Sequence, residues 1–295
     1  MWHRLQPVLP MWRSEAPSKV ERPQPIDVVA LFPEVLDELV GLLSALSGEQ
    51  WNRPTVCAQW CVKDIALHLL GGEIGILSRK RDRWSQTVGD LSTWDGLVVF
   101  INESNDLWVK ATRRISPPLL CNLLTLTGTQ VCRYFESLDP FAIGDPVDWA
   151  GPEPAPVWLD LAREYTERWH HQQQIRDAVG MPGLKQRRYF HPVLDAFVRA
   201  LPHTYEEVEA PEATTVALTI SGESGGRWCL VRENARWELH LDPDREPDSE
   251  VVIDQDMAWR LFTKGVTSSE AQARSVIRGN RALALRALEM VSVIG

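Results

Sequence analysis

A polar segment of helix-forming composition, REYTERWHHQQQIRDAVG at 163–180, carries the residues best suited to chemistry. Glu167 and His171 are four residues apart. On a helix with 3.6 residues per turn their side chains share one face, with Cβ atoms about 5 to 6 Å apart. A carboxylate and an imidazole at that distance can bind one cation. The same spacing is also typical of a surface hydrogen bond, so the pair alone leaves both interpretations open.

A third candidate ligand, His68, lies in the apolar segment CVKDIALHLLGGEIGIL. Counting about 100° per residue places Gly71, Gly72 and Gly75 on the same side of the helix as His68. Each glycine inside a helix costs roughly 0.5 to 1 kcal/mol relative to alanine, so three together indicate close packing or ligand access. We expect open space beside the imidazole, with Gly72 and Gly75 as candidate cofactor contacts. The alternative is a core histidine beside a close helix crossing.

The adjacent histidines of the first segment are distinguished by their positions around the helix. Its predicted inward-facing stripe consists of Leu161, Tyr165, Gln172, Ile175 and Val179. His171 lies about 100° from the centre of this stripe, and His170 lies about 160° away. We therefore expect His170 to face solvent, while His171 shares a flank with Glu167 and meets His68. Pairing Glu167 with His170 instead would turn the ion outward.

Charge and hydropathy exclude several classes of function. The formal net charge is −9, which argues against binding a phosphate backbone, since that requires clustered basic residues. The densest basic run, SRKRDRW at 78–84, is interpreted as a solvated helix end. No apolar run reaches the roughly 20 residues that cross a bilayer, and the first residues lack the pattern of a signal peptide. We expect a cytoplasmic protein that binds neither nucleic acid nor membrane.

Five cysteines in 295 residues do not form the dense framework of a small disulfide-stapled domain, and we expect them to be reduced. Cys57 and Cys61 have the spacing of a metal-binding pair. No second cysteine pair follows them, however, so a structural role is the favoured interpretation.

The spacing of apolar residues divides the chain into a helical part and a mixed part. Residues 1–25 carry five prolines without periodicity and are predicted to be a loose arm. Helical spacing predicts a bundle with one accessory helix over 26–182. Its predicted helices cover 27–48, 62–82, 94–114, 117–137 and 156–179. The proline-rich stretch between the last two is predicted to be a long crossover.

The character of the sequence changes after GMPGL. The runs TTVALTI, RWCLVR and RWELHL are rich in β-forming residues and are separated by turn residues, which predicts an antiparallel meander. Two helical patterns, DMAWRLFTKG and NRALALRALEMVSVI, follow. A second and smaller α+β domain is therefore predicted over 184–295.

Two segments, WNRPTVCAQWCVKDIALHLLGGE and EYTERWHHQQQIRDA, together resemble the mycothiol-dependent maleylpyruvate isomerases, within the DinB-like superfamily. The first carries Trp-x-x-Pro-Thr, then Trp, a hydrophobic residue, an acidic residue and His; the second carries Glu-x-x-x-His before Ile-Arg. The matching residues are Trp51, Pro54, Thr55, Trp60, Val62, Asp64, His68, Glu167, His171, Ile175 and Arg176. The resemblance covers most of 26–180 and implies a DinB-like four-helix bundle. Two C-terminal segments, 251–265 and 276–294, resemble a sterol-carrier-like domain more loosely.

The resemblance implies that His68, Glu167 and His171 bind a divalent metal ion, zinc or another transition metal such as nickel. Three nitrogen and oxygen ligands leave one tetrahedral position open, which is typical of catalytic rather than structural zinc. A thiol or water bound there would have a lowered pKa and would act as a nucleophile at neutral pH.

Two residues depart from the family pattern. Gln174 replaces the usual Asp, a partner of the ligand histidine, and Cys61 replaces the Ser or Thr that would cap the helix of the first histidine. We expect Asp64 and Gln174 to orient the ligands. An arginine of the second domain, Arg227 or Arg232, is a candidate for binding a substrate carboxylate.

These features predict a metal-dependent enzyme that uses a low-molecular-weight thiol, as the resemblance implies, for isomerisation or S-transfer on a small electrophile. Two alternatives need the same open site: a metal-binding or small-molecule-binding module without turnover, and a hydrolase that activates metal-bound water. The expected partners are a thiol and a small substrate, with the chain acting as a monomer or homodimer.

Overall fold

The computed structural model describes residues 21–84, 93–241 and 246–292. Most of the predicted arm, residues 1–20, lies outside the described residues. The part that is described runs along the C-terminal half of the chain. The backbone N–H of Leu241 donates to the carbonyl of Glu21 at 2.7 Å, and the guanidinium of Arg199 donates to the carbonyl of Gln24 at 2.7 Å.

The N-terminal half is a bundle of helices. A 3-10 turn, Val29–Leu31, precedes the first of them. The helices are α1 (Phe32–Ser44), α2 (Gly48–Trp51), α3 (Val62–Gly75), α4 (Trp94–Thr112), α5 (Pro117–Glu136) and α6 (Val157–Val179). Helices α1, α3, α5 and α6 pack around one another, and α4 packs against α3. This arrangement confirms the predicted four-helix bundle with an accessory helix.

The end of α3 changes its helical form. Residues Ile76–Arg81 continue directly from Gly75 as a π-helix, a conformation that is rare and frequently found at functional sites. Apolar spacing predicted one continuous helix over 62–82 and did not indicate this change. The final bundle helix ends more simply, at Gly180, whose φ of 70° is the left-handed conformation that glycine adopts without strain.

The predicted crossover contains a small hairpin. Strands β1 (Ile143–Pro146) and β2 (Pro154–Pro156) pair antiparallel, with Ile143 opposite Pro156. Val147 and Trp149 lie between them and are buried. The hairpin therefore fixes the start of α6, which follows β2 without a break.

The C-terminal half contains a five-stranded sheet. Its strands are β3 (Thr215–Ser221), β4 (Gly226–Glu233), β5 (Arg236–Leu241), β6 (Ser249–Asp254) and β7 (Val276–Gly279). The spatial order is β5-β4-β3-β6-β7, in which β3 and β6 are parallel and the other neighbours are antiparallel. The predicted meander is β3 to β5, and the α+β prediction is confirmed.

Five helices accompany this sheet: α7 (Arg187–Val198), α8 (Leu201–Thr204), α9 (Gln255–Phe262), α10 (Ser268–Ala273) and α11 (Arg281–Arg286). Helix α9 was predicted, whereas α7 and α8 were not. The predicted last helix is shorter than its apolar pattern, because α11 passes into a 3-10 turn at Ala287–Glu289 and the backbone is extended at Met290.

The two halves share one hydrophobic core. The Trp169 ring of α6 stacks on Phe190 of α7 with centroids 4.4 Å apart, and meets Trp259 of α9 edge-on at 5.5 Å. All three side chains are almost fully buried. Helix α6 is thus covered by the bundle on one side and by the C-terminal half on the other. Among the described residues, no helix is long and apolar enough to cross a membrane.

Candidate metal centre

Three side chains from two helices meet at one point. His68 of α3 and Glu167 and His171 of α6 each offer an atom, and all these atoms lie within 4.8 Å of one another. The Nε2 atoms of His68 and His171 are 3.1 Å apart, and His171 Nε2 lies 3.3 Å from Glu167 Oε2. A tetrahedron with zinc–ligand bonds of 2.0 to 2.1 Å has edges of about 3.3 to 3.4 Å. The donor set and its spacing therefore fit a zinc ion.

The hydrogen bond of Gln174 sets the ring orientation of His171. Its Oε1 lies 2.8 Å from His171 Nδ1. Because an amide oxygen only accepts, Nδ1 carries the proton and the lone pair of the neutral ring is left on Nε2, the atom that faces His68. Gln174 thus occupies the position expected of a residue that orients a ligand.

Burial and mutual charge shift the pKa values of these groups. Burial lowers the pKa of His68 to about 3, with the nearby His171 acting in the same direction. Burial alone would raise the pKa of Glu167, but the hydrogen bond and charge of His171 bring it down to about 2. Burial likewise opposes the charged form of His171, yet Glu167 raises its pKa. A metal ion bound to His171 Nε2 would compete with protonation of this ring, so the affinity for the metal should depend on pH.

The prediction that His170 faces solvent is wrong. Its side chain is only 6% exposed. Its Nε2 lies 2.9 Å from Gln174 Nε2, and its ring meets Trp259 with centroids 5.5 Å apart. The stripe analysis considered only the bundle, whereas His170 lines the cavity and also packs against Trp259 of the C-terminal half.

The three glycines of α3 have different surroundings. A Cβ on Gly71 would lie 2.6 Å from Nε1 of Trp108, so this glycine permits a close helix contact. A Cβ on Gly72 would meet nothing within 4 Å, and one on Gly75 would lie 3.2 Å from the Arg79 guanidinium. The expected open space is therefore beside Gly72, and all three glycines line the cavity at the candidate ligands.

That cavity has a volume of about 860 Å³. Trp60 forms part of its wall and lies over His68, with ring centroids 5.1 Å apart. Arg79, Lys80 and the buried Glu73 also line it. Sequence reasoning did not assign these side chains to the site. The basic run was interpreted as a solvated helix end, but the π-helix brings two of its residues to the cavity.

Neither tentative arginine of the second domain lines the cavity. Arg227 lies 3.7 Å from Glu250 of β6, on the far side of β3, and the guanidinium of Arg232 lies over the Trp237 ring at 5.7 Å. The sheet directs these residues away from the candidate ligands, so neither is in position to bind a substrate there.

In the comparison with known families, residues 32–176 match the family described as the mycothiol maleylpyruvate isomerase N-terminal domain. The matched range includes the three candidate ligands. Residues 32–176 therefore belong to that domain family. The resemblance read from the two sequence segments is thereby confirmed. No curated protein matches the chain.

Three solved structures show partial similarity to this chain. A crystal structure of the mycothiol-dependent maleylpyruvate isomerase is 11% identical, with a TM-score of 0.49, and covers 79% of this chain and 86% of that one. A histidine mutant of the same enzyme gives the same coverage at 10% identity and a TM-score of 0.49. Apo sterol carrier protein 2 from Yarrowia lipolytica is 12% identical, has a TM-score of 0.23, and covers 45% of this chain and 85% of that one.

Asp64 does not orient a ligand as expected. Its carboxylate accepts from the Cys61 backbone N–H at 3.1 Å and from two nitrogens of Arg113 at 2.9 and 3.0 Å. These bonds fix the first turn of α3 and tie it to the end of α4. Asp64 therefore positions the helix that carries His68 rather than the imidazole itself. Cys61 begins the helix as the expected cap residue, while Cys57 lines the cavity.

Proposed function

We propose that this protein is a zinc-dependent enzyme that uses a mycothiol-like low-molecular-weight thiol for isomerisation or S-transfer on a small electrophile. One observation carries the proposal: two imidazoles and one carboxylate converge on a point beside a cavity of about 860 Å³. A structural zinc site has four protein ligands, whereas a site with three leaves a position for a substrate or thiol. Volumes of roughly 300 to 1,000 Å³ are typical of pockets for small ligands.

The side chains of the site have distinct roles in this proposal. His68, Glu167 and His171 would hold the zinc ion, which when bound lowers the pKa of a coordinated thiol. Gln174 keeps the His171 lone pair on Nε2. Trp60 covers His68 and excludes water from one side of the site. Arg79, exposed at the cavity wall beside Gly75, is placed to attract an anionic electrophile.

The isomerase reaction suited to this site needs only the thiol as co-reactant. The thiolate sulfur forms a bond to one carbon of a cis double bond, and the electron pair of that bond moves onto the conjugated carbonyl. Rotation about the resulting single bond follows. The electron pair then returns, the carbon–sulfur bond breaks, and the thiolate leaves with the trans product.

Metal content tests the site itself. We expect about one zinc ion per chain in the parent protein and clearly substoichiometric zinc in His68→Ala by elemental analysis, because two ligands bind far more weakly than three. His203→Ala is the matched control, since His203 is 42% exposed and pairs with Glu206. A folded parent that neither contains zinc nor takes it up would refute the proposal.

Thiol binding and turnover test the use of the site. Calorimetry with mycothiol should show binding to the zinc-loaded parent and to zinc-loaded His203→Ala, and not to the zinc-free protein. Cis-to-trans conversion of maleylpyruvate should then require both zinc and thiol. Equal thiol affinity with and without zinc, and no turnover, would favour the binding module; turnover of esters or amides without thiol would favour the hydrolase.

A further inference from the structure

A continuous hydrogen-bond chain runs from the candidate ligand His171 to His170, whose ring packs against Trp259 of the C-terminal half. His171 Nδ1 donates to Gln174 Oε1 at 2.8 Å, and Gln174 Nε2 donates to His170 Nε2 at 2.9 Å. Gln174 and His170 are each 6% exposed. Water therefore has little access to replace either partner.

The direction of this chain follows from the chemistry of the amide. If the Gln174 amide were reversed, its NH₂ would face His171 Nδ1, which would then have to accept, so the ring proton would move to Nε2 and block metal binding. Metal binding thus requires the oxygen toward His171. The NH₂ group then points to His170, whose neutral ring must offer a lone pair on Nε2.

His170 is the acceptor for the amide N–H in this orientation. A buried N–H without an acceptor costs roughly 1 to 3 kcal/mol. With Nε2 accepting, the proton of neutral His170 lies on Nδ1, which is buried without a hydrogen-bond partner, so removing the acceptor would leave a second such group, on Gln174. A carboxylate at position 174 would accept from His171 without bringing an N–H that needs a partner. The need for His170 therefore arises from the amide at this position.

The C-terminal half fixes the ring of His170. Trp259 of α9 meets it at a centroid distance of 5.5 Å and an interplanar angle of 70°. The indole is itself held on two sides. Its Nε1 donates to Asp256 at 3.2 Å, and the guanidinium of Arg260 lies 4.4 Å from its centroid. Arg260 in turn binds Asp177 of α6 at 2.7 Å, so α9 is anchored to the ligand helix.

We propose that His170 is a positioning residue for the metal ligand His171, acting through Gln174, and that Trp259 holds His170 in place. The C-terminal half thereby contributes to metal affinity without supplying a ligand. This inference rests on the proposed zinc site.

A double-mutant cycle on zinc affinity tests the chain. His170→Phe keeps a ring against Trp259 but removes the acceptor, and Gln174→Leu removes the amide. We expect each to weaken zinc binding by 10- to 100-fold in competition with a chelator, the range typical of partners of metal ligands. The double variant should bind zinc no more weakly than the single variant with the lower zinc affinity. Gln173→Leu is the matched control, because this neighbouring buried amide donates to the carbonyl of Gly183 at 3.0 Å instead.

Nuclear magnetic resonance supplies a second readout. In the zinc-loaded parent and in Gln173→Leu, the His171 Nδ1 proton should be visible and slow to exchange, while in His170→Phe and Gln174→Leu it should exchange faster. Trp259→Leu should weaken zinc binding in the same direction as His170→Phe. The same substitution at Trp237, a buried tryptophan that meets Tyr205 edge-on, should not.

The outcomes separate this inference from the proposed function. A parent that binds zinc stoichiometrically, with His170→Phe within a few-fold of Gln173→Leu, would overturn the positioning role alone. Additive losses in the double variant would overturn it as well, since they would mean that His170 and Gln174 act independently. A parent that binds no zinc would overturn both proposals.

Discussion

Glu73 is a buried acid in the wall of the cavity. Its side chain is 4% exposed and bonded to the hydroxyl of Thr127. Burial raises its pKa to about 7, although the charge of Arg168 and the Thr127 hydroxyl act in the opposite direction. Gly128 makes room for the carboxyl, since a Cβ there would lie 2.9 Å from Glu73 Oε1. The acid is therefore packed into the core as a group that resists ionisation.

The pH dependence of stability tests this assignment through Glu73→Gln. The ordinary pKa of 4.5 applies to the unfolded chain and the raised value to the folded one. Between these values only the folded state holds the proton, so the contribution of Glu73 is fully present below pH 4.5 and is lost as pH rises through 7. From pH 5 to pH 8, the free energy of unfolding of the parent should fall by on the order of 2 kcal/mol relative to the Gln variant.

Urea unfolding at the two pH values provides the measurement. Glu103→Gln, at an exposed position of α4, is the control for the loss of one carboxylate. A parent and a Glu73→Gln variant whose stabilities change in parallel with pH would show that Glu73 is ionised throughout.

Helical spacing correctly predicted which residues meet at the candidate site but not what surrounds them. Glu167 and His171 share a face because they are four residues apart, and α3 brings His68 to them. The prediction for His170 was wrong because the apolar periodicity of α6 indicates only which side of the helix faces the bundle core. The cover over His170 comes from Trp259, which is 89 residues further along the chain, and no local pattern indicates that contact.

At the scale of elements, the glycines of α3 make opposite predictions for alanine substitution. Gly72→Ala should raise the free energy of unfolding by about 0.5 to 1 kcal/mol, because the helix gains propensity and the methyl group meets nothing within 4 Å. Gly71→Ala should lower it by about 1 to 3 kcal/mol, because the methyl group would overlap the Trp108 ring. That indole also donates to the Leu67 carbonyl at 2.8 Å and is not free to withdraw.

Chemical denaturation of both variants checks the pair, each serving as the control for the other. Two stabilising substitutions would show that α4 moves away from α3 at little cost. Two destabilising substitutions would show that the space beside Gly72 is narrower than described.

The elements that local patterns predicted are those whose own residues determine them. The bundle helices have sustained apolar stripes, and β3 to β5 have β-forming residues between turns. Local patterns did not predict the π-helix at Ile76–Arg81 or the hairpin of β1 and β2. The π-helix retains helical apolar spacing, and the hairpin is formed by proline-rich strands that pair across a gap of several residues.

At the scale of the whole molecule, the core does not stop at the proposed boundary between the bundle, 26–182, and the second domain, 184–295. Leu184 is buried at this boundary and its carbonyl accepts from Trp169 Nε1 at 2.7 Å. Tyr165 likewise donates from its hydroxyl to the carbonyl of Tyr189 at 3.0 Å. Separating the halves would expose the large aromatic rings of α6 and α7 to water.

We therefore expect the two halves to unfold as one cooperative unit, and two buried cysteines provide local probes. Cys132 lies on α5 in the bundle and Cys229 lies on β4 in the sheet. Pulsed thiol labelling across a urea gradient, read by mass spectrometry of the labelled peptides, should give the same midpoint for both, because the shared core must open before either half loses its packing. Trp169→Leu removes the ring at the centre of the contact. If it only weakens the shared core, the urea midpoints at Cys132 and Cys229 should both fall and remain equal. If the core couples the two halves, the two midpoints should become different. We expect separation, with the sheet and bundle then unfolding at different urea concentrations. Distinct midpoints already in the parent would show that the continuous core does not make the halves interdependent.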